Sequence, residues 1–194
     1  MQKNTIISKS SFIILGFLIA SLASCKDSKI SLATNKNESS KPNIILFVAD
    51  DHGTDAIGAY GNPVIQTPNL DQLAAEGVKF TNAYTTGSVC TPTRYALMTG
   101  QYSWRTKLKK GVVNMNDPAL IDVKRKTLPK YMQSLGYKTA LIGKWHLGFK
   151  EKKFKNLLGD IYPAPIDYGL DYSFVLPNNL DDGHKVYIEN NKIY

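Results

Sequence analysis

Cysteine is almost absent from this chain: Cys25 and Cys90 are the two in 194 residues. Each has its own reading below, so no pair remains for a bridge, and a disulfide-stapled scaffold is excluded. Stability must come from a core, and a chain of this length can build one domain around one. Internal repeats are not evident. Acidic residues are also scarce, 16 against 24 Lys and Arg, which leaves a formal net charge of +8. No apolar run reaches the roughly 20 residues of a comfortable membrane span. Ser11 to Leu22 comes nearest and is too short.

That short run has a different meaning. Lys3 and Lys9 precede it, and positive charge followed by a brief apolar stretch is the pattern of a secretory signal. Leu22-Ala23-Ser24-Cys25 then resembles a bacterial lipobox. Ala23 and Ser24 are small enough to admit a signal peptidase, and the Cys25 thiol would carry the lipid. An ordinary signal peptide with Cys25 incidental is the plainer alternative. Residues 26–41 are rich in Ser, Asn and Lys and poor in large apolar side chains, the composition of a flexible tether. Asn37-Glu38-Ser39 fits a glycosylation sequon that means little in a bacterial lipoprotein. The expected organisation is a lipoprotein signal peptide over 1–25, a tether over 26–41 and a folded part over 42–194. The expected location is that of an exported bacterial lipoprotein, in the periplasm or at the outer membrane.

The positive charge is clustered. Arg105, Lys107, Lys109 and Lys110 form one group, Lys124, Arg125 and Lys126 a second, and Lys150 to Lys155 a third. Such faces bind nucleic acid or acidic polysaccharide, or are simply solvated. No nucleic-acid-binding motif accompanies them, so nucleic acid is not expected as a partner.

Strand and helix signals alternate from residue 43 onward. Asn43 to Ala49 is nearly all apolar, without the alternation of a half-exposed strand, and predicts a buried parallel strand. Asp50 and Asp51 stand at its C-terminal end, where open α/β sheets place ligands. Thr67-Pro68-Asn69 opens a helix with an apolar stripe of Leu70, Leu73 and Ala74, stopped by Gly77. Val78 to Tyr84 predicts a short strand. Cys90 then begins a helix with Pro92 in its first turn and Gly100 at its end. Thr127 and Pro129 start another helix with a stripe of Leu128, Met132 and Leu135, ended by Gly136, and Tyr137 to Ile142 predicts a strand leading into Gly143-Lys144-Trp145-His146. This alternation is the grammar of an α/β domain with a mostly parallel sheet. All three motifs would fall along one edge of that sheet.

Each motif has a chemistry and a blander alternative. Asp50-Asp51 offers two carboxylates to a hard cation, provided the chain turns there, because neighbours on a regular strand point to opposite faces. Gly53 would help that turn, but the pair equally suits a helix cap. Cys90 at a helix N-terminus, with Arg94 four residues on, is placed to have a lowered thiol pKa or to hold an anion; a lone cysteine is otherwise a buried apolar group. Lys144 and His146 can act on an anion, or simply close a turn after a strand.

The order and spacing of these motifs resemble the sulfatases. Cys90-Thr91-Pro92-Thr93-Arg94-Tyr95-Ala96-Leu97-Met98-Thr99-Gly100 is similar to the first signature of that family, with its Cys-x-Pro-x-Arg core intact and Thr93 where Ser is usual. Gly136 to His146 resembles the second signature without a gap. Asp167-Tyr168-Gly169-Leu170-Asp171-Tyr172 and Val175-Leu176-Pro177-Asn178-Asn179 continue the resemblance more weakly, with Asn179 near the place of a sulfate-site serine. The resemblance implies the N-terminal part of an alkaline-phosphatase-like α/β sandwich, in which helices flank a mostly parallel central sheet. It implies a sulfuric ester hydrolase in which Cys90 is oxidised to formylglycine by a formylglycine-generating or sulfatase-maturating enzyme. One hydroxyl of the aldehyde hydrate would attack sulfur, and the second would expel sulfate as the aldehyde reforms, a step unavailable to serine. Asp50, Asp51 and the modified Cys90 would hold calcium, with magnesium as the alternative. Arg94, Lys144 and His146 would be catalytic. Further metal ligands, an Asp-Asn pair, lie far downstream in the family and have no match here. His52 and His184 are expected at the surface or behind the site.

The substrate class implied is a sulfate ester, and a surface lipoprotein suggests a sulfated polysaccharide. A phosphonate or phosphate monoester hydrolase of the same superfamily is the alternative enzyme. Val186 to Tyr194 reads as a strand-turn-strand still in progress, so the chain is expected to be an N-terminal fragment. An inactive truncated lipoprotein is therefore the third reading.

Overall fold

A computed structural model describes residues 41–114, 117–149, 160–180 and 186–194. The lipobox with Cys25, most of the tether, the sequon at Asn37, the lysine run from Lys150 and His184 lie outside the described residues. The chain divides into two units, Met1–Leu46 and Phe47–Tyr194. Of the first, the described residues 41–46 contain no helix or strand. Among the described residues, no helix is long and apolar enough to cross a membrane.

The second unit alternates helices and strands. Helix α1 spans Pro68–Glu76, α2 Cys90–Thr99 and α3 Leu128–Ser134; strands are β1 Ala140–Lys144, β2 Tyr172–Leu176, β3 Ile188–Glu189 and β4 Lys192–Ile193. Each helix begins where the sequence supplies a start signal. Pro68 and Pro129 sit in first turns, where a missing N–H costs nothing. The Thr127 hydroxyl caps α3 by accepting from the Lys130 amide at 3.3 Å. Gly100 ends α2 at φ 67°, a left-handed conformation that glycine adopts without strain.

The sheet order is β1-β2-β3-β4. The first pair is parallel, with Ala140 opposite Tyr172 and Lys144 opposite Leu176, and the other two pairs are antiparallel. The described sheet is therefore mixed. The expected strand-turn-strand near residue 190 is the β3–β4 hairpin, turned through Asn190 at φ 57°.

The core lies between α2, the β1–β2 pair and the loops after them. Tyr95, Met98, Val113, Ile121, Trp145, Leu147, Phe149, Tyr168, Val175 and Ile188 form one cluster. Trp145 stacks on Tyr168 at 5.4 Å, and its ring N–H donates to the Gly148 carbonyl at 3.0 Å. The Tyr168 hydroxyl donates to the Ile121 carbonyl at 3.0 Å, while Thr127 donates to the Tyr168 carbonyl at 2.5 Å. The buried polar atoms of Trp145, Tyr168 and Thr127 thus find partners.

Three sequence expectations fail here. Asn43 to Ala49 forms no strand, and Ile44, Ile45, Leu46 and Phe47 are exposed. Val78 to Tyr84 is likewise irregular and exposed. The α1 stripe is not buried, since Leu70 and Leu73 face solvent. The reason is common to all three: an apolar run becomes a strand, or a stripe a buried face, only against a neighbour. Along β1 the one described neighbour is β2.

Candidate active site

Cys90 is the first residue of α2, delivered there by Val89 in extended conformation. The start of the helix is pinned from both sides. Thr91, fully buried, donates from its hydroxyl to the His146 carbonyl at 2.8 Å and accepts from the Val113 amide at 3.1 Å. Thr93 donates to the Gly87 carbonyl at 2.8 Å and so fixes the turn before the helix. The hydroxyl at this position thus has a structural task that serine would also perform.

Lys144 arrives from the C-terminal end of β1. Past it the chain continues along β2, with the Trp145 amide donating to Leu176 and the His146 amide to Pro177, both at 2.9 Å. His146 is buried, and its φ of 55° turns the chain back toward α2. Arg94, one helical turn after Cys90, donates to the Lys144 carbonyl at 2.6 Å.

These contacts bring the cations onto Asp50. The Lys144 ammonium lies 2.6 Å from Asp50 Oδ2 and 3.0 Å from Cys90 Sγ. The Arg94 guanidinium lies 3.4 Å from Asp50 Oδ1. Burial acts to raise the Asp50 carboxyl, but the hydrogen bond and charge of Lys144, joined by Cys90 and Arg94, outweigh it and hold the group below its ordinary value. Lys144 mirrors this: burial acts to lower it, while Asp50 and Cys90 raise it above the ordinary lysine value. Both groups are therefore charged at neutral pH.

Asp51 has φ 52°, the turn that two adjacent carboxylates need to serve one site. Ligand atoms of Asp50, Asp51 and Cys90 all lie within 4.8 Å of one another. Two carboxylates suit a hard cation such as calcium; a thiol does not, but an oxygen-bearing oxidised Cys90 would complete an all-oxygen set. The residues present thus fit a cation of that kind and supply part of the 6–8 ligands calcium takes.

The cluster opens into a cleft of about 300 Å³ lined by Asp50, Asp51, Cys90, Thr93 and Arg94. His52, Thr85 and Ser88 also line it. His52 was expected at the surface or behind the site, and Thr85 and Ser88 carried no sequence signal beyond their nearness to Cys90. The weaker stretches of resemblance divide in role. Asp167 accepts from the Ala164 amide at 2.7 Å and closes a turn, and Asp171 accepts from the Thr139 amide at 2.8 Å. That bond, chiefly, pulls the Asp171 carboxyl down to about 2. Both aspartates are structural. Asn178 is 3% exposed, and neither its amide nitrogen nor its oxygen has a partner among the described residues; Asn179 is half-buried.

Comparison with known proteins shows the family of the chain. Residues 42–183 match the family model described as Sulfatase. The chain is 39% identical over 175 residues to an N-acetylgalactosamine-6-O-sulfatase of Bacteroides thetaiotaomicron, covering 90% of this chain and 34% of that protein. It is 44% identical over 119 residues to arylsulfatase A of Bos taurus, covering 61% and 24% respectively. A solved Bacteroides thetaiotaomicron sulfatase, described in connection with the metabolism of multiple glycosaminoglycans, superposes with a TM-score of 0.75 at 40% identity, over 79% of this chain and 32% of that one. A sulfatase from Pseudoalteromonas sp. gives 0.59 at 30% identity, over 89% and 31%. The chain thus spans about a third of the length of the first of these relatives.

Proposed function

This chain belongs to the sulfatase family, with its alkaline-phosphatase-like α/β fold, and from that we propose that it forms the nucleophile-bearing part of a sulfuric ester hydrolase. One observation carries the reading. Lys144 bridges Asp50 and Cys90 at 2.6 and 3.0 Å although it stands 94 and 54 residues from them. Three motifs remote in sequence converge on a single sulfur atom.

The division of labour follows from the contacts. Oxidation of Cys90 to formylglycine by a maturating enzyme would supply a geminal diol, one hydroxyl of which attacks sulfur while the other later releases sulfate. Calcium held by Asp50, Asp51 and that side chain would polarise the sulfate oxygens. Lys144 is a point charge 3.0 Å from the reacting atom and neutralises charge on the sulfate. Arg94 anchors Asp50 and the Lys144 carbonyl together, so it orients both the carboxylate and the ammonium. His146, held in the backbone turn behind Thr91, is assigned the hydrogen bond to the hydrate.

The substrate is proposed to be a sulfated glycan, supported by the similarity to the Bacteroides N-acetylgalactosamine-6-O-sulfatase. An exported lipoprotein, lipidated at Cys25 and residing in the periplasm or at the outer membrane, would meet such polymers outside the cell. The lipobox residues and the arrangement of signal over 1–25, tether over 26–41 and catalytic part over 42–194 support this reading.

The test is Cys90→Ala in the longest reading frame containing this chain, produced with a maturating enzyme. Sulfate release from an aryl sulfate should fall by about 10³-fold or more, as expected when a covalent nucleophile is removed. The Cys90 peptide of the wild type should weigh less than the thiol form. Retained turnover in the alanine variant overturns the assignment.

A further inference from the structure

A second feature lies outside the cleft. After α2 the chain forms a loop from residue 101 to 113 that contains four cations and no acidic residue. Arg105, Lys107, Lys109 and Lys110 are all exposed. Two aromatic side chains stand among them: Tyr102 is 47% and Trp104 52% exposed. They stack at 5.5 Å with an interplanar angle of 20°, and the Arg105 guanidinium lies 5.4 Å from the Trp104 ring centroid.

The loop is held rather than loose. Ser103 is buried, and its carbonyl accepts from both the amide and the hydroxyl of Thr106, at 2.9 and 2.6 Å. Leu108 packs against the core. Lys109 reaches back to the Trp104 carbonyl at 3.0 Å, and the Val113 amide ends the loop on the Thr91 hydroxyl, next to Cys90. The loop therefore runs from the C-terminal end of α2 back to the Thr91 hydroxyl, beside Cys90.

We propose that the Tyr102–Trp104–Arg105 stack with Lys107, Lys109 and Lys110 is a second binding surface for a sulfated polysaccharide, separate from the cleavage cleft. Large exposed apolar rings are costly to leave in water, and a pyranose offers an apolar C–H face that can cover them. A planar guanidinium donates paired hydrogen bonds to an oxyanion, and the lysines add charge complementary to a repeating anion. Nucleic acid satisfies the charge as well, but the chain has no motif for it, and the site beside this surface is built for sulfate esters. The choice of sulfated sugar as ligand rests on the function proposed above; the existence of the surface does not.

Binding, not turnover, is the readout, so failure of the hydrolase reading would leave this test intact. The full chain is titrated with chondroitin 6-sulfate, with unsulfated hyaluronan and with single-stranded DNA of equal charge at low salt. Chondroitin sulfate should bind tightest. Trp104→Ala should weaken it about fivefold, in keeping with the loss of one stacked aromatic. Lys107→Gln/Lys109→Gln/Lys110→Gln should weaken it about tenfold or more and flatten its salt dependence. The matched control Lys124→Gln/Arg125→Gln/Lys126→Gln removes the same charge elsewhere and should change binding less than about twofold. Equal losses in the two triple variants, an unchanged Trp104→Ala variant, or DNA bound as tightly as chondroitin sulfate each overturn the proposal.

Discussion

Asp50 and Lys144 meet at 2.6 Å, yet the segments that bring them together are held in different ways. Lys144 ends a strand paired in register with β2, and the next residues enter the core through Trp145 and Leu147. Asp50 follows Phe47, which is 89% exposed, and precedes short irregular turns without a buried residue. Its described anchors in the site are the two cations, with the Cys90 side chain beside them. One side of the site is thus fixed by packing and the other by charge. The packed side carries Cys90 at the start of α2 and both cations.

The contrast breaks most visibly in stability. Trp145→Ala removes a fully buried ring, its stack on Tyr168 and a hydrogen bond, and should cost about 3–5 kcal/mol. Phe47→Ser, which also deletes an aromatic ring, on the exposed side, should stay within about 0.5 kcal/mol. Urea midpoints of the two variants measure the difference. Similar midpoints would mean that Phe47 is as well packed as Trp145.

Alkaline pH probes the packed side through Tyr168. Burial, with the nearby charges of Asp167, Tyr162 and Asp122 adding to it, raises Tyr168 well above the ordinary tyrosine value. The folded state therefore holds this proton more tightly than the unfolded chain does. The stabilisation is complete below the unfolded value near 10 and is lost as pH rises through the interval up to the folded one, at about 1.4 kcal/mol per pH unit. Tyr168→Phe should flatten that alkaline decline, at a constant cost of about 1 kcal/mol for the bond to Ile121. An unchanged alkaline slope would place the titration elsewhere.

The two helix starts compare in the same way. Thr127 caps α3 and also donates to the Tyr168 carbonyl, so Thr127→Ala should cost about 1–2 kcal/mol. Thr67 makes no cap on α1; its hydroxyl accepts from Gly58 and donates to Asp71, and Thr67→Ala should cost about 0.5–1 kcal/mol. Thermal melts of both variants rank them, and a reversed order would contradict the assignment of Thr127 to the core.

What could be read from the sequence divides along this same line. Helix starts and stops depend on local chemistry, and Pro68, Pro129, Thr127 and Gly100 placed α1, α2 and α3 to within a residue or two. The convergence of Asp50, Cys90, Arg94 and Lys144 was legible from motifs placed at the ends of the expected elements, whose order resembles that of the sulfatases. The run from Asn43 to Ala49 did not become a strand, because strand formation depends on a partner that no local pattern specifies. Nor could composition mark Thr85 and Ser88 as cleft residues, since hydroxyls before a helix are ordinary. The left-handed turn at Asp51 was foreseeable only from geometry: two adjacent carboxylates cannot share a site on a straight strand.

The smallest expected effect sharpens the comparison at the joint between the two sides. Thr93 belongs to α2, and its hydroxyl fixes the Gly87 carbonyl in the turn that lines the cleft. Thr93→Ser keeps the donor and loses one methyl from a half-buried position, so stability should move by less than about 0.5 kcal/mol. Thr93→Val keeps the shape and removes one of the two hydroxyl donors to that carbonyl, leaving it the Thr85 hydroxyl at 2.8 Å, and should cost about 0.5–1 kcal/mol. The two variants differ chiefly in the hydroxyl, so urea midpoints measured side by side isolate it. A serine variant as weak as the valine one would show that the methyl packing, and not the bond to Gly87, ties α2 to its cleft.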